Sequence, residues 1–248
     1  MTQRDNIIET LIGVCHRLYG KGFVSATDGN VSVRLKTGTF LTTRTGVNKG
    51  MVTDEDIIEV NMHGEVVSGN YAPSTELAMH LYIYLQRPDV NAVVHAHPPY
   101  ATGFATARQP LTGCVFPEVI VGLGAIPLAE YATPSTLEVV KAIEPFVKHT
   151  DAIMLSNHGV VTYGNDLYDA YYKMEKVEHA AHITFIARML GGENLLSQQD
   201  VEKLKSISKD FSDRLACETS DTCRQSNTPK QTENSEDDLK TYIKKHYL

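Results

Sequence analysis

The chain has 248 residues, a net charge of −7 and 42% hydrophobic residues, which suits one α/β domain with an appendage. The acidic balance argues against nucleic acid or an anionic membrane as partner, and no apolar run reaches the length of a membrane span. MTQRDNIIET lacks the basic and apolar regions of a secretory signal, so a cytoplasmic protein is expected, with scattered Cys15, Cys114, Cys217 and Cys223 as reduced thiols.

Ile7, Ile8, Leu11, Ile12, Cys15 and Leu18 fall at helical spacing, and Gly20 and Gly22 stop the helix. A polar loop over 26–30 leads into the alternating strand Val31–Leu35, and Thr37-Gly38 turns it into a hairpin with Thr39–Thr42. A second loop, Thr43–Gly46, precedes a second hairpin formed by Asp56–Val60 and Glu65–Val67. Pro73-Ser74-Thr75-Glu76 opens a helix that Pro88 ends. Asn91–Val94 is a short apolar strand, and Pro98-Pro99 open another helix. A strand is expected around Val119-Ile120-Val121, then a helix over about 136–148, the strand Ala152–Leu155 and a long helix over about 167–190. A last helix is expected over about 198–215. The organisation is a domain over 1–216, followed by a polar linker and short terminal segment over 217–248.

The chemistry concentrates at two strand exits. Side chains two apart on a strand point the same way, so His95 and His97 in NAVVHAHPPY project together past a small alanine. Ala152–Leu155 repeats the pattern and exits through Ser156-Asn157-His158-Gly159. Two such strands side by side would bring three imidazoles to one point, which is an open zinc-type site. A single strand-end histidine is more often structural; three of them with an upstream carboxylate favour metal. Glu76, in the first turn of its helix, is either a dipole-favoured capping carboxylate or a general base tuned by burial and a metal. Gly29-Asn30, Thr45-Gly46 and Ser74-Thr75 each offer backbone N–H groups and a small donor, which suits a phosphate. Each is equally readable as a turn or a helix cap.

Together GN at 29–30, TG at 45–46, STE at 74–76, HAHP at 95–98 and NHG at 157–159 resemble the class II aldolase/adducin family, on its L-fuculose-phosphate aldolase-like branch. The resemblance spans about residues 5–215. It implies an α/β fold with a central, mainly antiparallel sheet flanked by helices. It further implies zinc held by His95, His97, His158 and resting-state Glu76, with manganese or cobalt also suited to imidazole. Glu76 would be the proton carrier, and Gly29, Asn30, Thr45, Gly46, Ser74 and Thr75 would cradle a ketose 1-phosphate. The implied reaction is reversible cleavage to dihydroxyacetone phosphate and a small aldehyde, in a homotetramer with sites between subunits.

Two positions depart from the aldolase pattern. Where such aldolases resemble one another in carrying a tyrosine, this chain has Val115-Phe116-Pro117-Glu118. Glu118 resembles the acid/base residue of methylthioribulose-1-phosphate dehydratases, which share the three-histidine site. Tyr131 is a substitute phenol. The tail tyrosines, Tyr242 and Tyr247, are delayed by the polar linker. The alternatives are therefore a dehydratase-like lyase, or a non-catalytic adducin-like binding module with no need of converging histidines.

Overall fold

Period-two alternation along the central strands sorts the core into two layers. In the strand β5 (Ala92–Ala96), Ala92, Val94 and Ala96 enter one apolar cluster and Val93 enters the other. Its neighbour β8 (Gly159–Gly164) divides likewise, Val160 to one side and Val161 and Tyr163 to the other. Helices cover both faces, as buried sheets require. The computed structural model describes residues 2–207 and 216–219.

The eight-stranded sheet has the order β4-β3-β2-β1-β5-β8-β7-β6. Its other strands are β1 (Asn30–Arg34), β2 (Phe40–Thr43), β3 (Ile57–Val60), β4 (Val66–Ser68), β6 (Leu128–Ala129) and β7 (Ala152–Leu155). All neighbours are antiparallel except β6 and β7. The mainly antiparallel sheet and both expected hairpins are therefore present. The first face packs against α1 (Gln3–Gly20), α3 (Pro99–Thr106) and α6 (Leu167–Met189), through Leu11, Leu18, Phe104, Met174 and Val177. The second packs against α2 (Leu77–Gln86) and α5 (Leu137–Val147), through Tyr82, Tyr84, Val140 and Ile143. α1 starts on a reciprocal cap: Thr2 Oγ1 accepts from Asp5 N–H at 3.2 Å, and Thr2 N–H donates to Asp5 at 2.7 Å. Among the described residues no helix is long and apolar enough to cross a membrane.

Three expectations are corrected. Val119–Val121 is not a strand but lies in α4 (Pro117–Gly122). Pro117 presets the first helical φ and Glu118 complements the positive end, while Ile120 packs on Val201 of α7 (Gln198–Ile207). The run after His158, read only as the polar exit of the Ala152–Leu155 strand before the long helix, forms a second full strand, β8. Cys114 and Cys217 are not reduced thiols but a disulfide, with Cα atoms 5.2 Å apart. Cys217–Thr219 is strapped to the body, with Glu218 N–H donating to Thr112 O and Cys114 N–H to Glu218 O, both at 2.7 Å. Cys15 is free and buried. The last turns of the expected final helix, Cys223, the linker beyond Thr219, Tyr242 and Tyr247 lie outside the described residues.

Candidate metal centre

Strand alternation places His95 on the face of β5 that meets α2, and it is fully buried. His97 stands two residues on, where its backbone N–H donates to Phe23 O at 2.8 Å. The third imidazole arrives through the β7–β8 turn. Asn157 takes a left-handed φ of 55°, a conformation that asparagine tolerates, and His158 N–H closes the turn on Leu155 O at 3.0 Å. Gly159 follows because nothing larger fits: a Cβ there would stand 2.5 Å from both Ala96 O and His97 Cδ2. The three rings end 4.7–5.1 Å apart between centroids, and one nitrogen from each lies within 4.8 Å of the others.

Glu76 completes the cluster from the N-cap position of α2, one residue before the helix proper. Its Oε2 is 3.3 Å from His95 Nε2 and its Oε1 3.1 Å from His158 Nε2. The second contact is close but lacks hydrogen-bond alignment, so Oε1 is a buried oxygen without a hydrogen-bond partner. Asn30 Nδ2 donates to Oε2 at 2.9 Å. Asn30 reaches it because β1 pairs with β5, Asn30 opposite His95. Gly29, at φ 72°, permits that approach: a Cβ would sit 2.8 Å from His95 O.

Burial opposes the charge on Glu76, but His95, His158 and Asn30 outweigh it and hold the carboxyl well below the usual range. Burial pushes His95 and His97 down to about 4, Glu76 pulling back on both. An ionised carboxylate beside neutral imidazoles is the protonation state that a divalent metal requires. His95 fits the role further. Its Nδ1–H lies 3.0 Å from Val160 O, which leaves the lone pair on Nε2, turned inward. Two nitrogens on one tetrahedral zinc stand about 3.3 Å apart; His95 Nε2 and His97 Nε2 are separated by 3.2 Å. The residues present therefore fit a divalent metal.

The expected phosphate residues gather around Glu76. Ser74 Oγ accepts from Glu76 N–H at 3.3 Å, and Thr75 Oγ1 meets Ser135 Oγ at 2.6 Å. The Thr45-Gly46 loop is carried alongside by a bridge between Arg44 and Pro73 and by Thr45 N–H donating to Ala72 O at 3.0 Å. Gly46 makes its turn at φ 66°. Glu118 goes elsewhere. It lines a cavity of about 670 Å³ with Phe23, Phe116, Tyr172, Lys176 and His182, a cavity that no member of the histidine triad lines. Tyr131 is exposed.

Three supporting residues carry no local sequence signal. Glu178 on α6 accepts Tyr100 N–H at 3.0 Å and Ala101 N–H at 2.8 Å, capping α3 two residues after His97–Pro98. A helix opening on Pro98-Pro99 has no capping side chain of its own, which is the one hint of a distant cap. His80 is buried on α2, with Nδ1 2.7 Å from Ser32 Oγ, itself 2.8 Å from Tyr84 OH. Lys49 is buried behind the two loops that carry Gly29 and Gly46.

Residues 9–185 match the family model for the class II aldolase and adducin N-terminal domain. The chain belongs to the class II aldolase/adducin family. Within it the chain sits with the L-fuculose-phosphate aldolase-like branch. It is 34% identical to an L-fuculose phosphate aldolase of Methanococcus maripaludis, covering 74% of this chain and 98% of the relative. It is 29% identical to a 5-deoxy-D-ribulose 1-phosphate aldolase of Bacillus thuringiensis serovar kurstaki, over 79% of this chain and 92% of that one. A solved L-fuculose 1-phosphate aldolase superposes with a TM-score of 0.74 at 30% identity, covering 84% of this chain and 97% of the other. As a class II aldolase-like domain, the chain keeps the sheet and helices of these relatives.

Proposed function

We propose that this class II aldolase is metal-dependent and cleaves a ketose 1-phosphate, of the L-fuculose or 5-deoxypentulose type, to dihydroxyacetone phosphate and a small aldehyde. The observation that carries the reading is the meeting of three imidazoles, one nitrogen of each within 4.8 Å of the others, with the Glu76 carboxylate 3.3 Å from His95 and 3.1 Å from His158. His95, His97 and His158 would hold the cation, with Glu76 as the fourth donor at rest; zinc suits the set, and manganese and cobalt are the alternatives. When bound, such a cation supplies Lewis-acid polarisation of the substrate's carbonyl and hydroxyl oxygens.

The chain's own residues supply the rest. Glu76 is held ionised, so it can take a proton from C3 of dihydroxyacetone phosphate in the condensation direction. In the cleavage direction the C4 hydroxyl gives up its proton as the C3–C4 bond breaks and the aldehyde forms, and Glu76, protonated in turn, delivers one to C3. Asn30 fixes the carboxylate's orientation through its hydrogen bond. Gly29, Asn30, Thr45, Gly46, Ser74 and Thr75 would bind the phosphate with backbone N–H groups and short donors. Glu118 receives no role within one chain, because its cavity is not the triad's. Glu76 favours the aldolase over a dehydratase-like lyase, because the dehydratase branch does not use a glutamate in that slot. The intact donor set argues against an adducin-like binding module. The reading carries with it a cytoplasmic location and a homotetramer, and sedimentation would check the assembly.

The test is exchange of a C3 hydrogen of dihydroxyacetone phosphate in D2O, followed by NMR without any aldehyde. Metal-loaded protein is expected to exchange it. A chelator should abolish exchange, and Glu76→Gln should slow it by about 10²–10⁴-fold. No exchange by protein shown to hold metal would remove the aldolase reading.

A further inference from the structure

Lys49 is among the largest fully buried side chains, with 1% of its surface exposed. Its Nζ donates to Val47 O at 2.7 Å and to Thr27 O at 3.1 Å. Among the described residues no carboxylate oxygen lies within 4 Å of it, so the ammonium is solvated by carbonyls alone. A buried cation without a counter-ion is unfavourable unless another group compensates it. Burial pushes its pKa down, and Asp28 and Glu76 lie close enough to pull it back up, while Arg44 opposes them.

The two carbonyls belong to the two loops proposed to hold phosphate. Thr27 precedes Gly29-Asn30, and Val47 follows Thr45-Gly46. In a trans peptide the C=O and the next N–H point opposite ways. The Val47–Asn48 peptide, with its oxygen on Nζ, therefore presents the N–H of Asn48 away from the lysine, positive end outward. We propose that Lys49 is a positioning and specificity-determining residue: it ties the two loops together and supplies the positive charge that makes the cradle select a doubly charged phosphate. This rests on the phosphate subsite of the aldolase reading. The occupant's chemistry is a phosphate dianion, which balances a charge that no carboxylate among the described residues pairs directly.

The experiment uses the full-length, metal-loaded protein, Lys49→Met, Lys49→Gln and Lys49→Arg, with inorganic phosphate as the ligand. Protection against thermal unfolding gives Kd, and C3 exchange gives KM and kcat for dihydroxyacetone phosphate. In the neutral variants Kd and KM are expected to rise about tenfold or more, with kcat changing much less, and Arg should restore most of the binding. A folded Lys49→Met of normal metal content with wild-type phosphate affinity would overturn the proposal. So would a fall in kcat at unchanged KM. Should both neutral variants fail to fold, the wild-type protein decides: its phosphate affinity must climb across the second phosphate ionisation, and pH-indifferent binding, or none, overturns it. Lysine-dependent phosphate binding without C3 exchange would instead sink the aldolase reading and leave this inference standing.

Discussion

Gly159→Ala separates the packing of the site from its chemistry. The residue's φ is not in the left-handed region, so alanine is conformationally allowed and any effect comes from contact. Its Cβ would stand 2.5 Å from His97 Cδ2 and from Ala96 O, against an ordinary contact limit of 3.4 Å. The gap must open by about 0.9 Å, whereas metal–ligand distances tolerate only about 0.2 Å. His97 is the movable partner, because Ala96 is fixed in the β5–β8 ladder. Divalent metal affinity should therefore fall about 10–100-fold, by analogy with lost ligand positioning. Overpacking should cost about 1–3 kcal/mol in the metal-free protein. Competition with a chromophoric chelator gives the first number and urea unfolding in chelator the second. Gly13→Ala is the control. It lies in α1 with nothing within 4 Å of its Cβ, and should stabilise by about 0.5–1 kcal/mol. A Gly159→Ala protein with wild-type metal affinity and stability would refute the close-approach account of the NHG turn.

Glu178→Ala removes both acceptors from the start of α3 and should destabilise by about 3 kcal/mol, Glu178→Gln by roughly half, given charge-assisted bonds of about 1.5–3 kcal/mol each; urea unfolding checks it, and a change below about 0.5 kcal/mol would exclude the cap. His80 is held neutral, its pKa pushed down to about 4 by burial, with Glu76 pulling back. The unfolded chain therefore takes up this proton first on acidification. The stability is complete above the unfolded pKa near 6.5 and is lost as pH falls toward 4, about 3 kcal/mol in all. His80→Gln should remove that component from the stability–pH profile measured in chelator, and an unchanged slope would contradict it. Reducing Cys114–Cys217, which close a loop across 103 positions, should cost about 2–5 kcal/mol and expose the amides of Cys114 and Glu218 to hydrogen exchange. Exchange unaffected by reductant would show that the strap holds without its disulfide.

Local pattern reveals the parts of this site that lie on one stretch of chain. His95 and His97 are legible because a strand repeats every second residue, and Glu76 because Pro73-Ser74-Thr75 announces a helix start. The NHG segment looks like a strand exit and is in fact a turn between two strands; the apolar run of β8 follows too closely for propensity to divide them. Val119-Ile120-Val121 has strand propensity, yet Pro117 and the contact of Ile120 with Val201 make it a helix. Glu178, His80 and Lys49 are invisible because burial and distant partners define them. Glu178 meets a backbone 77 residues away, and no window of sequence contains both. The cysteines mislead for the same reason: spacing along the chain says nothing about proximity across the fold.

The order of strands also dictates when the site can exist during folding. β1 and β2, β3 and β4, and β7 and β8 are hairpins that close over short loops. β5 pairs only with strands far from it in sequence, setting Asn30 opposite His95 and His95 opposite Val161. Long-range pairings of this kind form late, because loop closure must precede the contacts that reward it. The three histidines and Glu76 thus meet only when the last central strand is seated between two preformed halves. A cation arriving earlier would find only the His95 and His97 pair of one strand, so capture by the full donor set reports a sheet already closed.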